Sequence, residues 1–272
     1  MTEEDAGFAA LARQIAIASG FTVGAYKDKC IRRRIAVRMR ACGVHTYSDY
    51  RALLAGSPQE YERLRDALTI NVTRFYRNAE TWNLIRGTVL PTLLDGRLAD
   101  VRAWSAGCAS GEEPYTLAVL AAEHLDRAGR SAELARVSID ATDIDRACLE
   151  RARAGSYRSE GLSELPDGLA ERYFEPDGAE RRVVDRVRRR VEVRQLDLSL
   201  EAPPRSGYHL ILCRNVVIYF DRRMQERLFQ TFADALVPGG FLVLGKVETL
   251  FGPARDRLIL VDPRERIYRR PA

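Results

Sequence analysis

At 272 residues, with 46% hydrophobic and 30% charged side chains, the chain has room for one large domain or two modest ones and can bury a real core. Its start, MTEEDAGFAALARQ, lacks the basic-then-apolar layout of a secretory leader, and no run approaches the roughly 18 apolar residues of a membrane span, so a cytoplasmic protein is expected. Five scattered cysteines (Cys30, Cys42, Cys108, Cys148, Cys213) with no CxxC pair, and three histidines at no metal spacing, speak against disulfides, zinc and metal catalysis, while a net charge of +5 weakly favours an acidic partner.

Residues 1 to about 70 read as helices. The run FAALARQIA from Phe8 is apolar at helical spacing. Residues 27–40 put Ile31, Ile35 and Met39 on one face and end near Gly43, a residue suited to a helix C-terminus. The other faces carry Lys27, Lys29, Arg32, Arg33, Arg34, Arg38 and Arg40 against one acid, Asp28. Residues 47–55 and 59–68 predict two more short helices. The segment 69–86, TINVTRFYRNAETWNLIR, joins them to the remainder of the chain, with Asn78 placed to cap a helix through Trp82 and Ile85.

From Val101 strands and helices alternate: strand 101–105, helix 114–127, strand 136–142, helix 146–154, then strand 208–213, helix 222–236 and strand 241–245 after Pro238-Gly239-Gly240. Residues 258–261 and 266–269 predict a closing hairpin. Such alternation predicts an α/β domain with a parallel sheet and right-handed crossovers. Residues 155–195 interrupt it. Tyr157, Tyr173, Phe174, the turn at Pro176-Asp177-Gly178, and Val183, Val184, Val187, Val191 and Val193 amid arginines predict a small inserted antiparallel lobe there.

The stretch 101–115, VRAWSAGCASGEEPY, is the most informative. A short strand is followed by a turn of almost no side-chain bulk, which lets the backbone approach a ligand, and then by a helix opening on Glu112-Glu113-Pro114. That layout marks nucleotide-type sites in open α/β sheets. Carboxylates at the helix start would repel a phosphate, which prefers bare N–H groups, so the ligand expected has ribose hydroxyls or a cation and no pyrophosphate. S-adenosylmethionine (SAM), with a sulfonium, an ammonium and a ribose, has that profile.

Glu113 lies three residues after Ser110, so a capping box competes with ligand contact. Asp143, at a strand's carboxyl end, can accept from ribose hydroxyls, and Asp145 fits the cap of the next helix. Arg214 and Asn215 end a neighbouring strand and face the crevice, Asp221 suits a helix cap, and Tyr219 is equally readable as core. Arg77, in Arg74-Phe75-Tyr76-Arg77, is of the type that holds a carboxylate bidentately.

These segments together resemble the chemotaxis-receptor protein-glutamate O-methyltransferases, the CheR family, over nearly the whole chain. The basic second helix, TINVTRFYR, WSAGCASGEEPY, ATDIDRACLERARAGSY and CRNVVIYFD match the family in order and approximate spacing. The resemblance implies a Rossmann-like class I SAM-dependent methyltransferase sheet over 98–272 with an inserted β-subdomain at 155–195. A helical receptor-recognition domain at 1–70 precedes it, and a linker helix at 71–97 contributes to the active site. It implies that Asn71, Thr73, Arg77, Glu113, Asp143, Asp197, Leu198, Arg214 and Asn215 line the SAM site, with Arg77 and Tyr219 nearest the transferred methyl. Two departures stand out: the common Phe-Phe-Arg is Phe75-Tyr76-Arg77, and the usual Gly-His-Ser-Glu is Gly245-Lys246-Val247-Glu248. The loop with which some members grip a receptor's carboxyl-terminal peptide is not clearly present.

The implied partner is the cytoplasmic helical domain of methyl-accepting chemotaxis receptors, bound through Lys29, Arg33 and Arg40 by a monomer with no nucleic acid and no membrane insertion. Two other readings compete. A nucleic-acid methyltransferase would need an Asn/Asp-Pro-Pro-aromatic motif or a catalytic cysteine, and neither occurs; a non-catalytic SAM- or receptor-binding module could have lost Glu113, Asp143, Arg77 and Asn215, which are all in place.

Overall fold

The amino-terminal helices are α1 (Glu3–Ser19), α2 (Asp28–Ala41), α3 (Tyr47–Gly56) and α4 (Pro58–Leu68). This computed structural model describes residues 2–19, 21–69, 71–96 and 98–272; Ile70 and Arg97, where domain boundaries are expected, lie outside the described residues. The side chains of Thr46 and Ser57 accept the N–H groups of Asp49 and Glu60, capping α3 and α4, and Pro58 suits the first turn of α4. Ile31, Ile35 and Met39 are the buried residues of α2, as their spacing predicts. Three of the basic residues on its other faces are tied inward. Arg38 donates to Glu60 at 3.0 and 2.7 Å, with the Tyr50 hydroxyl on the same carboxylate at 2.8 Å. Arg32 pairs with Asp28 and Asp5, and Arg34 donates to the Leu68 carbonyl.

The chain continues through α5 (Ala79–Leu84), a wide helical turn and α6 (Leu90–Leu94) into β1 (Val101–Ala106), α7 (Glu112–Arg127), β2 (Val137–Asp143) and α8 (Arg146–Ala154). There follow β3 (Ser156–Arg158), α9 (Leu169–Tyr173), β4 (Phe174–Asp177), β5 (Glu180–Val183), α10 (Asp185–Arg188), β6 (Val191–Gln195) and β7 (Tyr208–Cys213). The chain closes with α11 (Arg222–Ala235), β8 (Leu236–Leu244), β9 (Ile259–Asp262) and β10 (Ile267–Arg269). Contacts divide it into two units, Met1–Ile70 with Ile218–Gln225, and Asn71–Val217 with Glu226–Ala272. No helix of the described residues is long and apolar enough to cross a membrane.

Among the described residues the main sheet has seven strands in the order β6-β2-β1-β7-β8-β10-β9. The first five are mutually parallel, and β10 runs antiparallel to β8 and β9. The chain moves outward from β1 to β2 and β6, then returns to lay β7 on the other side of β1. That reversal opens a crevice at the carboxyl ends of β1 and β7. Trp104 anchors the core beneath it, stacked on Tyr208 at 5.6 Å, edge-on to Phe232, and donating from its indole to Thr142.

The inserted lobe is a three-stranded antiparallel sheet in the order β3-β5-β4. It ends earlier than the expected 195, because Val191–Gln195 is an edge strand of the main sheet, parallel to β2. Val191 and Val193 alternate with Glu192 and Arg194, and a period of two is the same in either sheet. The lobe is fastened to α7 and to the loop before it: the Tyr173 hydroxyl reaches Glu123 (2.9 Å) and Asp126 (2.8 Å), and the Tyr157 hydroxyl donates to the Ser110 carbonyl (2.8 Å). Phe75 packs edge-on between Tyr157 (4.8 Å) and Phe174 (5.4 Å).

Candidate active site at the carboxyl ends of the strands

The loop after β1 is shaped by residues that a side chain would block. Gly107 has φ +84°, and a Cβ there would sit 2.5 Å from Val216; Gly111 has φ +97°, and a Cβ would sit 2.7 Å from the Tyr157 hydroxyl. The N–H groups of Gly107 and Cys108 bond the Thr142 carbonyl, and that of Ala109 bonds Asp143 Oδ2 at 2.8 Å. The loop is thereby pinned to the end of β2.

Glu112 and Glu113 lie inside α7, which starts slightly earlier than the sequence predicts, with Gly111 as the residue before them and no side-chain cap. The capping box therefore fails. The Ser110 hydroxyl bonds Glu112 instead, at 2.8 and 2.9 Å, while Glu113 turns towards the sheet. Its Oε1 accepts from the Ser105 hydroxyl (2.8 Å), and its Oε2 lies 3.4 Å from Arg214 Nη1. Burial pushes the Glu113 carboxyl above its ordinary value against the pull of Arg214 and Ser105. Burial raises Glu112 as well, against hydrogen bonds that include Ser110 and Thr73.

Asp143 ends β2 and does two things at once. Besides Ala109, its carboxylate accepts the N–H of Asp145 (2.9 Å), so it shapes both loops that flank it. Burial raises its pKa against these backbone hydrogen bonds. Asp145 caps α8 through the Cys148 N–H (3.0 Å) and also accepts from the Asn71 amide (2.7 Å), which brings Asn71 to this turn. Asp197, after β6, bonds the Ser199 N–H with one oxygen and leaves Oδ2 buried without a partner, beside the buried Leu198.

Arg214 follows β7 and is 6% exposed. It donates to the Arg77 carbonyl (2.6 Å) and to Asn78 Oδ1 (3.2 Å), and its guanidinium lies 5.2 Å from the Trp82 ring centre. Asn78 stands at the N-cap position of α5 but at φ 64° and without a side-chain capping bond, its carboxamide oxygen being taken by Arg214. Arg77 itself donates to the Val72 carbonyl (2.7 Å) and pairs with no carboxylate among the described residues. Asn215, at φ +61°, leaves its Oδ1 buried and unpartnered.

Asn71, Thr73, Arg77, Glu113, Asp143, Arg214 and Asn215 thus stand on the segments around the ends of β1, β2 and β7: Asn71 bonds Asp145 beside Asp143, and Arg214 joins Glu113 to the Arg77 carbonyl. Asp197 and Leu198 follow β6, where the neighbouring Leu196 N–H bonds the Asp143 carbonyl at 2.9 Å. Tyr219 belongs to the other unit, where the Arg34 guanidinium lies 5.2 Å from its ring centre and its carbonyl accepts the Lys27 N–H. In that unit Lys29, Arg33 and Arg40 are exposed and form no ion pair among the described residues. Glu248 goes without a role in sequence reasoning, although it closes Gly245-Lys246-Val247-Glu248 as the glutamate closes the family's Gly-His-Ser-Glu; it bonds the N–H groups of Gly245 (2.5 Å) and Asn215 (3.0 Å).

The residues fit SAM. Glu113 and Asp143 are carboxylates of the kind that accept from an ammonium or from hydroxyls, and the buried Oδ2 of Asp197 and Oδ1 of Asn215 have no donor among the described residues.

A family model described as the SAM-binding domain of the CheR methyltransferases matches residues 71–266, and one described as their all-alpha domain matches residues 6–69. The chemotaxis protein methyltransferase of Klebsiella aerogenes is 34% identical over 93% of this chain and 86% of its own length. Chemotaxis protein methyltransferase 2 of Pseudomonas aeruginosa is 34% identical over 85% of this chain and 81% of its own. The crystal structure of the N-methyltransferase NodS from Bradyrhizobium japonicum with S-adenosyl-L-homocysteine is 15% identical and covers 72% of this chain and 91% of that one, at a TM-score of 0.41. The chain belongs to the CheR methyltransferase family and takes its methyl group from S-adenosylmethionine.

Proposed function

We propose that the chain esterifies glutamate side chains of methyl-accepting chemotaxis receptors, acting as a monomer in the cytoplasm. The observation that carries this reading is Arg77. Its peptide carbonyl is held by the buried Arg214, which is braced by Glu113, while its own guanidinium has no carboxylate among the described residues. An arginine so mounted suits a carboxylate that must be aligned and then released.

In this reading Glu113 receives the cofactor's ammonium, Asp143 its ribose hydroxyls, and Asn71, Thr73, Asp197, Leu198, Arg214 and Asn215 complete the pocket. The bound cofactor supplies a methyl group on a positively charged sulfur. A receptor glutamate, with a pKa near ~4.3, is already ionised at neutral pH and needs no base. With the cofactor bound, one of its oxygens would attack the methyl carbon in line as the carbon–sulfur bond breaks, releasing S-adenosylhomocysteine. Alignment alone is worth roughly 7–11 kcal/mol. Arg77 positions the acceptor without gripping it, since its charge disappears in the ester and a tight ground-state pair would raise the barrier. The family resemblance assigns Tyr219, with Arg77, to the neighbourhood of the transferred methyl. The segment 71–97 serves the active site, and the helices of 1–70 recognise the receptor through Lys29, Arg33 and Arg40.

The test is incubation with methyl-labelled SAM and a receptor cytoplasmic fragment. Base-labile label on the receptor is expected. Base-stable label, or binding without transfer, would overturn the assignment.

A further inference from the structure

The loop 245–248 holds a carboxylate that the chemistry above leaves unused. Glu248 is 3% exposed, and a single oxygen, Oε2, accepts from both the Gly245 and the Asn215 backbone N–H. Asn215 stands in the left-handed region, φ +61°, where a non-glycine residue persists only if its surroundings hold it. The packing leaves no slack: a Cβ on Gly245 would lie 2.7 Å from Glu248 Oε2, 2.8 Å from the Asn215 nitrogen and 3.0 Å from its side-chain amide. What this clamp leaves over is the buried, unpartnered Oδ1 of Asn215.

The same loop is anchored on its other flank. Lys246 Nζ lies 3.1 Å from both Glu80 and Glu265, and the Thr81 hydroxyl donates to Glu265 at 2.5 Å. Glu80 and Thr81 belong to α5, which begins two residues after Arg77. Lys246, standing where the family carries histidine, is therefore a tie between this loop and the Arg77 segment. Glu248 works from a fixed base.

We propose that Glu248 is a positioning residue for the cofactor: by holding two peptide N–H groups on one oxygen it fixes the left-handed backbone of Asn215 and so the direction in which the Asn215 carboxamide oxygen is presented. The proposal rests on the reading of Asn215 as a cofactor-binding residue. It predicts coupling between the two side chains. Glutamine at 248 keeps a carbonyl oxygen able to accept both N–H groups, whereas alanine leaves both unpaired in a buried place.

The experiment is calorimetric titration with the product S-adenosylhomocysteine of the full chain and of Glu248→Gln, Glu248→Ala, Asn215→Ala and the Glu248→Ala/Asn215→Ala double variant, each checked by thermal melting. Glu248→Gln is expected within about twofold of the parent, which a requirement for the charge itself would not allow. Glu248→Ala and Asn215→Ala are each expected to bind roughly tenfold more weakly, and the double variant no more weakly than Asn215→Ala alone. If the Glu248→Ala loss recurs in full on the Asn215→Ala background, or if Glu248→Ala binds as the parent while Asn215→Ala does not, the proposal is overturned. If Asn215→Ala itself binds as the parent, the cofactor reading of Asn215 has failed and the proposal falls with it. Should Glu248→Ala not fold, Glu248→Asp takes its place: the shorter side chain cannot span both N–H groups, and the same loss, absent on the Asn215→Ala background, is expected.

Discussion

Reversing charge on the outer face of α2 separates a docking surface from an inert coat of arginine. Lys29, Arg33, Val37 and Arg40 are spaced at four, four and three residues, so they share one face, and all four are exposed. Arg32, Arg34 and Arg38 are the wrong targets, because each is tied to its own unit; Arg38 in particular neutralises Glu60, which is 3% exposed. In Arg33→Glu/Arg40→Glu, two exposed pairs with receptor carboxylates, at about 0.5 kcal/mol each, would be lost and replaced by repulsions of similar size. The sum is about 1–2 kcal/mol, or roughly a 5- to 30-fold rise in the KM for receptor. Since the contacts are made equally in the ground and transition states, kcat should change little. Salt should mimic the variant, because exposed charges are screened over about 8–10 Å at 0.1–0.15 M. The assay is methyl transfer to a receptor fragment at two ionic strengths. An unchanged KM in a double variant with the parent's circular dichroism would show that these arginines only cover the Ile31–Ile35–Met39 stripe with their stems.

Asp143→Ala should weaken S-adenosylhomocysteine binding by calorimetry, whereas Asp145→Ala should chiefly lower the melting point, by the about 0.5–2 kcal/mol of a lost helix cap; equal affinity in Asp143→Ala and the parent would sink the ribose assignment. Arg77→Ala should keep its affinity for that product better than its turnover, and turnover within about twofold of the parent, only ~0.4 kcal/mol in barrier, would remove Arg77 from the chemistry. Asp126 is pushed up by burial but pulled further down, to about 2, by hydrogen bonds from Arg186, Ser131 and Tyr173. Because its folded pKa lies below the unfolded value of ~3.9, it stabilises the fold above that value and ceases to as pH falls towards 2. With Arg186 exposed on the surface, the effect is roughly 1 kcal/mol. Melts of the parent and Asp126→Asn should therefore differ at pH 6 and converge near pH 2; a constant gap would contradict the assignment.

Much of this could be read from the chain because its signals are local. The helical stripe of α2, the Asp145 cap and the small-residue loop after β1 each lie within a few residues, where periodicity and capping chemistry speak directly. What was missed depends on partners far along the chain. Ser110 and Glu113 have the spacing of a capping box, yet Ser105 and Arg214 draw Glu113 away from it. Asn78 looks like a cap until Arg214 claims its carboxamide. No spacing rule announces that Glu248 meets Asn215, 33 residues away, or that three of the six basic residues of α2 are tied to partners in their own unit.

Phe75, two residues before Arg77, inserts its ring between Tyr157 and Phe174 of the lobe. The lobe is for that reason no detachable module. A chimera that exchanges residues 155–190 with those of a relative must carry matching aromatics at 157 and 174, and partners for Glu123 and Asp126, or the segment leading to Arg77 loses its seat. The ring cluster of Phe75, Tyr157 and Phe174 thus couples the inner surface of the lobe to the segment that carries Arg77.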